Sequence, residues 1–185
     1  MPAKTLVVVA HPALATSRVN RGWLAALSRH PDRITVHSLY DAYPDGRIDV
    51  AAERALLDAH DRVVFQFPMF WFATPALLKQ WFDDVLGYGY AFGPGGDALV
   101  GKRFGVAVST GGKAEAYRAG DQNAYTLSEF LRPIQQTVAF VRGIYTAPHA
   151  LQGALYGITD DEIAADAEAY VAELLGETAA ATVAA

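Results

Sequence analysis

Three short stretches of the chain carry residue types that could do chemistry together. The first, residues 11–20, reads His-Pro-Ala-Leu-Ala-Thr-Ser-Arg-Val-Asn and runs into a predicted helix. A helix start presents free N–H groups and the positive end of the helix dipole to an anion. Thr16, Ser17 and Asn20 add short donors there, and His11 and Arg18 can add positive charge, next to Val19. These residues suit a phosphate cradle, and they equally suit an ordinary capped helix start. The second stretch, residues 68–74, is Pro68-Met69-Phe70-Trp71-Phe72-Ala73-Thr74. Three consecutive aromatics cannot all enter one core, so some must face a planar ligand, a partner or solvent. The third, Ser109-Thr110-Gly111-Gly112, is followed by Tyr117. Adjacent glycines let backbone N–H groups approach a ligand edge closely, or simply form a turn.

Other chemistries are missing. There is no cysteine, which excludes disulfides, thiolate metal sites and thiol nucleophiles. No serine stands in a nucleophile elbow. The five histidines form no paired metal motif. Two glycine patterns mislead. Residues 96–102 mimic most of a phosphate loop, but Arg103 stands where Ser or Thr is needed, and the segment precedes a strand. Gly87, Gly89 and Gly93 follow a helix with the wrong spacing for a dinucleotide fingerprint.

The elements that must position these stretches follow from the apolar pattern. Short apolar runs at 6–10, 34–39, 62–67, 104–109 and 142–146 predict five strands. Between them lie predicted helices at 18–29, from the Asp49 cap to about 60, from Thr74-Pro75 to Gly87, from the Thr126/Glu129 capping box to Val138, and from the Thr159/Glu162 box to about 175. Pro133 falls inside the fourth of these, which pushes its true start later. Residues 40–48 and 87–101 read as loops. Strict βα alternation predicts an α/β fold: a flavodoxin-like, doubly wound five-stranded parallel sheet of order 2-1-3-4-5, with helices on both faces. Ligands of such sheets bind at the carboxyl ends of the strands, beside the switch in strand order. The three chemical stretches are the loops after strands 1, 3 and 4.

Composition agrees. A chain of 185 residues, 52% hydrophobic and 19% charged, suits one domain over 1–175 with a frayed tail at 176–185. A net charge of −5 argues against a nucleic-acid partner. With no secretory signal and no apolar stretch of membrane-spanning length, the expectation is a cytoplasmic protein.

The same residues resemble a known family. The opening through His11-Pro12, Ser17 and Asn20 is similar to that of the NAD(P)H:quinone oxidoreductases of flavodoxin-like fold, a group that includes the ancillary proteins of glutathione-gated potassium efflux systems. Residues 66–79 resemble its P-x-x-W-[FY]-x-x-P-x-x-[LM]-K segment. Residues 87–92 resemble its aromatic loop, and Ser109-Thr110-Gly111-Gly112 with Tyr117 its T-T-G-G…Y segment. The resemblance implies FMN, with FAD as the larger possibility, and NAD(P)H as co-substrate. It implies that His11, Ser17, Arg18, Val19 and Asn20 hold the phosphate. Pro68, Met69, Phe70, Trp71 and Phe72 would lie along the flavin ring, and Ser109, Thr110, Gly111 and Gly112 would bond its edge. Tyr117 matches the family's catalytic tyrosine, but residues 120–123 lack the histidine that accompanies it in the animal enzymes. The implied activity is two-electron, ping-pong hydride transfer to quinones or similar flat electrophiles, in a homodimer. Alternatives are a regulatory subunit bound to an efflux transporter, or a flavodoxin-type electron carrier.

Overall fold

The computed structural model describes residues 4–176. Most of the tail expected at 176–185 lies outside the described residues. Six strands form one parallel sheet: β1 (Thr5–Val9), β2 (Ile34–Ser38), β3 (Arg62–Pro68), β4 (Arg103–Thr110), β5 (Ile144–Tyr145) and β6 (His149–Gln152). The order is β2-β1-β3-β4-β5, with β6 also paired to β4. The flavodoxin-like topology expected from the alternation is present. The helices are α1 (Arg18–Leu27), α2 (Leu39–Ala42), α3 (Val50–Asp58), α4 (Ala76–Val85), α5 (Leu127–Phe130), α6 (Arg132–Phe140) and α7 (Asp160–Leu175).

Alternate residues of the central strands feed two cores. Leu6, Val8, Phe65, Phe67, Val106 and Val108 pack with Leu57 of α3, Leu78 and Trp81 of α4, and Ile134 of α6. Val7, Val9, Val64 and Ala107 pack on the other face with Trp23 of α1 and Ile163, Tyr170 and Val171 of α7. Both faces of β1 are covered, which explains why it reads as an unbroken apolar run.

The structure differs from the sequence pattern in four places. The last strand is broken. β5 pairs with the start of β4 (Arg103↔Ile144) and β6 with its end (Ala107↔His149), so five steps along the border face four along β4. The extra residue makes a bulge, and Pro148, which has no N–H, sits in the break. The strand expected at 142–146 is thus only its first piece. Leu39, expected as the end of the second strand, and residues 40–42, expected as loop, together form the single turn α2, with Leu39 buried in the core. Pro75 is the N-cap of α4 and not its first residue. The helix expected from Thr126 is split at Leu131 into α5 and α6, with Pro133 in the first turn of α6, where its missing N–H costs nothing.

Two buried polar knots tie helices to the sheet. Glu53 of α3 is 1% exposed and accepts hydrogen bonds from Tyr43 Oη (2.6 Å) and Trp81 Nε1 (2.7 Å), with His37 Nε2 at 2.7 Å. Burial alone would raise its pKa; the hydrogen bonds from His37, Tyr43 and Trp81 outweigh burial and hold it below the usual carboxylate range. On the other face, His149 of β6 stacks on Tyr170, with ring centroids 4.8 Å apart. Its Nε2 lies 3.1 Å from Asp166 and its Nδ1 3.3 Å from Glu173. Burial pulls the His149 pKa down, but the two carboxylates prevail and raise it.

Candidate functional site

The three chemical stretches meet at the carboxyl edge of the sheet. Their cleft, of about 440 Å³, is lined by His11, Thr16, Ser17, Arg18, Val19, Pro68, Met69, Phe70, Ser109, Thr110, Gly111, Ala154, Leu155 and Ile158. That volume is in the range of small-molecule and cofactor sites.

One end is the start of α1. Ser17 is extended, and its Oγ accepts the Asn20 N–H at 3.3 Å. The Arg18 and Val19 N–H groups have no acceptor among the described residues and remain free for an anion. His11 Nδ1 accepts the Ala13 N–H at 3.1 Å. That leaves Nε2 as the protonated nitrogen of a neutral ring. Burial holds the His11 pKa below its ordinary value, so the ring acts as a neutral donor near pH 7.

The opposite end is the turn after β4. Thr110 Oγ1 donates to Gly112 O at 2.8 Å and pins the glycine pair. The carbonyls are taken: Gly153 N–H donates to Gly112 O at 2.8 Å, Ala154 N–H to Thr110 O at 3.0 Å, and Leu155 N–H to Gly111 O at 3.3 Å. The N–H groups of Gly111 and Gly112 have no acceptor among the described residues. This asymmetry, acceptors used and donors free, builds an edge suited to the carbonyls of a heterocycle.

Between these ends runs the ledge after β3. Phe70 and Ala73 exchange two backbone hydrogen bonds of 3.0 Å, closing a two-residue turn. Its central residues, Trp71 and Phe72, have φ of 47° and 63°. Such a turn normally takes Asn or Gly, and aromatics there are strained. Phe72 is held by stacking on Phe130 at 4.9 Å. Trp71 has no such support and is 92% exposed.

Of the expected site residues, His11, Ser17, Arg18, Val19, Pro68, Met69, Phe70, Ser109, Thr110 and Gly111 line the cleft. Asn20 does not. It is buried, and its Nδ2 donates to Ser109 Oγ at 3.0 Å, tying α1 to β4 beneath the cleft. Phe72, Gly112 and Tyr117 line an adjoining hollow of about 440 Å³, shared with Lys113, Asn123 and Tyr156. Leu155 borders both spaces. Trp71 lines neither and points outward.

Residues 153–158 were not anticipated, since β6 was not. Their signal was the pair Gly153 and Gly157, both at positive φ, flanking Ala-Leu-Tyr directly after the last strand.

Fold and cleft together define a doubly wound α/β protein with a cofactor-sized site at the topological switch. Comparison with known proteins narrows this. Residues 3–174 match the family model of the flavodoxin-like fold, and the chain belongs to that family. It is 45% identical over 174 residues to the NAD(P)H oxidoreductase YrkL of Bacillus subtilis (strain 168), covering 94% of this chain and 99% of that one. It is 45% identical over 147 residues to the glutathione-regulated potassium-efflux system ancillary protein KefG of Salmonella paratyphi B, covering 80% of each. Among solved structures, general stress protein 14 of Treponema denticola in complex with FMN superposes with a TM-score of 0.90 at 42% identity, covering 95% of this chain and 99% of that one. An NADPH-quinone reductase of P. pentosaceus superposes with a TM-score of 0.83 at 34% identity, over 92% and 97% of the two chains.

Proposed function

We propose that this protein is an FMN-dependent NAD(P)H oxidoreductase that reduces quinones or similar flat electrophiles by two-electron transfer. The observation that carries the reading is the cleft itself. It has free N–H groups of α1 at one end, the free N–H of Gly111 at the other with that of Gly112 in the adjoining hollow, and the Pro68–Met69–Phe70 ledge between. The FMN complex of general stress protein 14 supports it. When bound, FMN supplies hydride acceptance from NAD(P)H and hydride donation to the acceptor, in alternating half-reactions.

The chain's own residues bind and orient. The Arg18 and Val19 N–H groups, Ser17 Oγ and His11 Nε2–H hold the phosphate. Asn20, turned inward, fixes Ser109 and the end of β4. Met69 and Phe70 would lie along the bound ring, and the free N–H groups of Gly111 and Gly112 would donate to its polar edge, where such donors favour negative charge. Tyr117, in the adjoining hollow with Phe72 and Gly112, orients the second substrate.

The unsupported Trp71 turn supports a homodimer in which this face is covered. Backbone strain that brings no burial within the protomer is accounted for by a contact outside it. A second reading, a regulatory subunit docked on an efflux transporter, is favoured by the likeness to KefG. Co-purification with a transporter distinguishes it.

The test is one spectrum. The protein is reconstituted with FMN, desalted, and its flavin band recorded without air before and after NADPH. A retained band that bleaches supports the oxidoreductase. A retained band that does not bleach supports the carrier or regulatory reading, and no retained flavin overturns the assignment.

A further inference from the structure

Arg18 stands between the cleft and the outside. It lines the phosphate end of the cleft, and it also lines two shallow grooves beyond, along α1 and α7. Its guanidinium is held from that outer side. Nη2 and Nε both donate to Asp160 Oδ1, at 2.5 and 3.2 Å. Asp160 is the first residue of α7, two positions after Ile158, which lines the same end of the cleft. The pair therefore joins the start of α1 to the start of α7 on the outer side of the phosphate end. Beyond it the grooves carry charges of both signs, Asp41 with Arg21 in one and Glu168 paired to Arg29 in the other, so Asp160 is the carboxylate nearest the cleft along the chain's two helix starts.

We propose that the Arg18–Asp160 pair is a gate that selects a flavin mononucleotide over a flavin dinucleotide, with Asp160 as its positioning and excluding residue. The inference rests on the flavin reading above. A monophosphate ends at the α1 start and meets free N–H groups and one cation. A dinucleotide must continue past Arg18. Its second phosphate then meets the Asp160 carboxylate, and its adenosine must displace the Arg18–Asp160 ion pair. Both effects act on the dinucleotide alone. A pair this exposed is worth little by itself, so the gate is a discriminator and not a lock.

The test is equilibrium dialysis of FMN, FAD and riboflavin against wild type, Asp160→Asn and Asp160→Lys, read at the flavin absorption band. Wild type is expected to bind FMN at least tenfold more tightly than FAD. Removing one exposed charge contact is worth up to about fivefold. Asp160→Asn should therefore lower the FAD/FMN ratio of dissociation constants by about three- to fivefold, and Asp160→Lys by tenfold or more. Riboflavin, lacking any phosphate, should not change by more than twofold. A merely structural role of Asp160 would shift all three flavins together. A ratio unmoved by both substitutions, with wild type still binding FMN, overturns the gate and leaves the flavin reading standing. A wild-type protein that binds no flavin overturns both.

Discussion

Replacing Trp71 with glycine should push folding and association in opposite directions. At φ 47° the residue sits in the left-handed region, which costs a non-glycine residue roughly 1–2 kcal/mol. Glycine removes that cost and gives back about 0.5–1 kcal/mol through its greater freedom in the unfolded chain. The indole is 92% exposed, so almost no packing within the protomer is lost. The isolated protomer should gain about 0–1.5 kcal/mol, the difference of those two estimates. In a dimer that covers this face the sign reverses. A fully buried tryptophan removes ~150–250 Å² from water, an upper bound of about 4–6 kcal/mol at ~25 cal/mol/Å². Truncating an aromatic anchor typically costs about 2 kcal/mol or more. A two-fold interface loses it twice, so the dimer dissociation constant should rise about a thousandfold. Sedimentation equilibrium over a concentration series reads the second effect. Urea unfolding, at concentrations low enough for both proteins to be monomeric, reads the first. A glycine variant that associates as tightly as wild type refutes the interface. One whose protomer is clearly less stable refutes the assignment of strain.

Three further outcomes follow from the buried knots and the glycine turn. The His149 pKa is raised in the folded state, so its contribution to stability is complete below the unfolded value near 6.5 and disappears as pH rises through the folded value. Urea unfolding between pH 5.5 and 9 should show this decline, and His149→Gln should flatten it; an equal slope in the variant would count against the knot. Glu53 runs the other way: its lowered pKa contributes stability above the ordinary carboxylate range, which is lost as pH falls through the folded value. Glu53→Ala would strand Trp81 Nε1 and Tyr43 Oη and should cost about 3–5 kcal/mol, with Glu53→Gln milder; a loss under 1 kcal/mol in calorimetry would contradict the network. A Cβ at residue 111 would lie 2.8 Å from Leu155 Cδ1, a flexible side-chain end that can yield, so Gly111→Val should keep the fold and weaken FMN binding at least tenfold. Unchanged flavin affinity with an unchanged circular dichroism spectrum would remove that turn from the site.

Much of this was legible in the sequence. Four buried strands alternating with amphipathic helices determine the winding, and the winding dictates which loops converge. What escaped depended on side-chain direction and on local breaks. Asn20 has the composition of a cradle donor, but it lies three residues after Ser17, and buried polar partners on β3 and β4 draw it inward. The fifth strand has no long β-branched run, and Pro148 interrupts it. With β6 unseen, Leu155 and Ile158 could not be assigned to the cleft. The aromatic stretch announced that something must be exposed, but only the structure shows that Trp71, at 92% against 43% for Phe70 and for Phe72, is the residue left without cover.

The broken border strand has a consequence for how copies of this chain can gather. An intact border on a parallel sheet offers a template on which another chain can add a strand, and then another, without limit. Here an approaching chain finds two paired residues, a bulge with a proline, and then four more. Strand-by-strand growth stops at such a rim. In the homodimer proposed above, association would use the aromatic turn instead of this rim, and a contact made about a two-fold axis closes at a finite size.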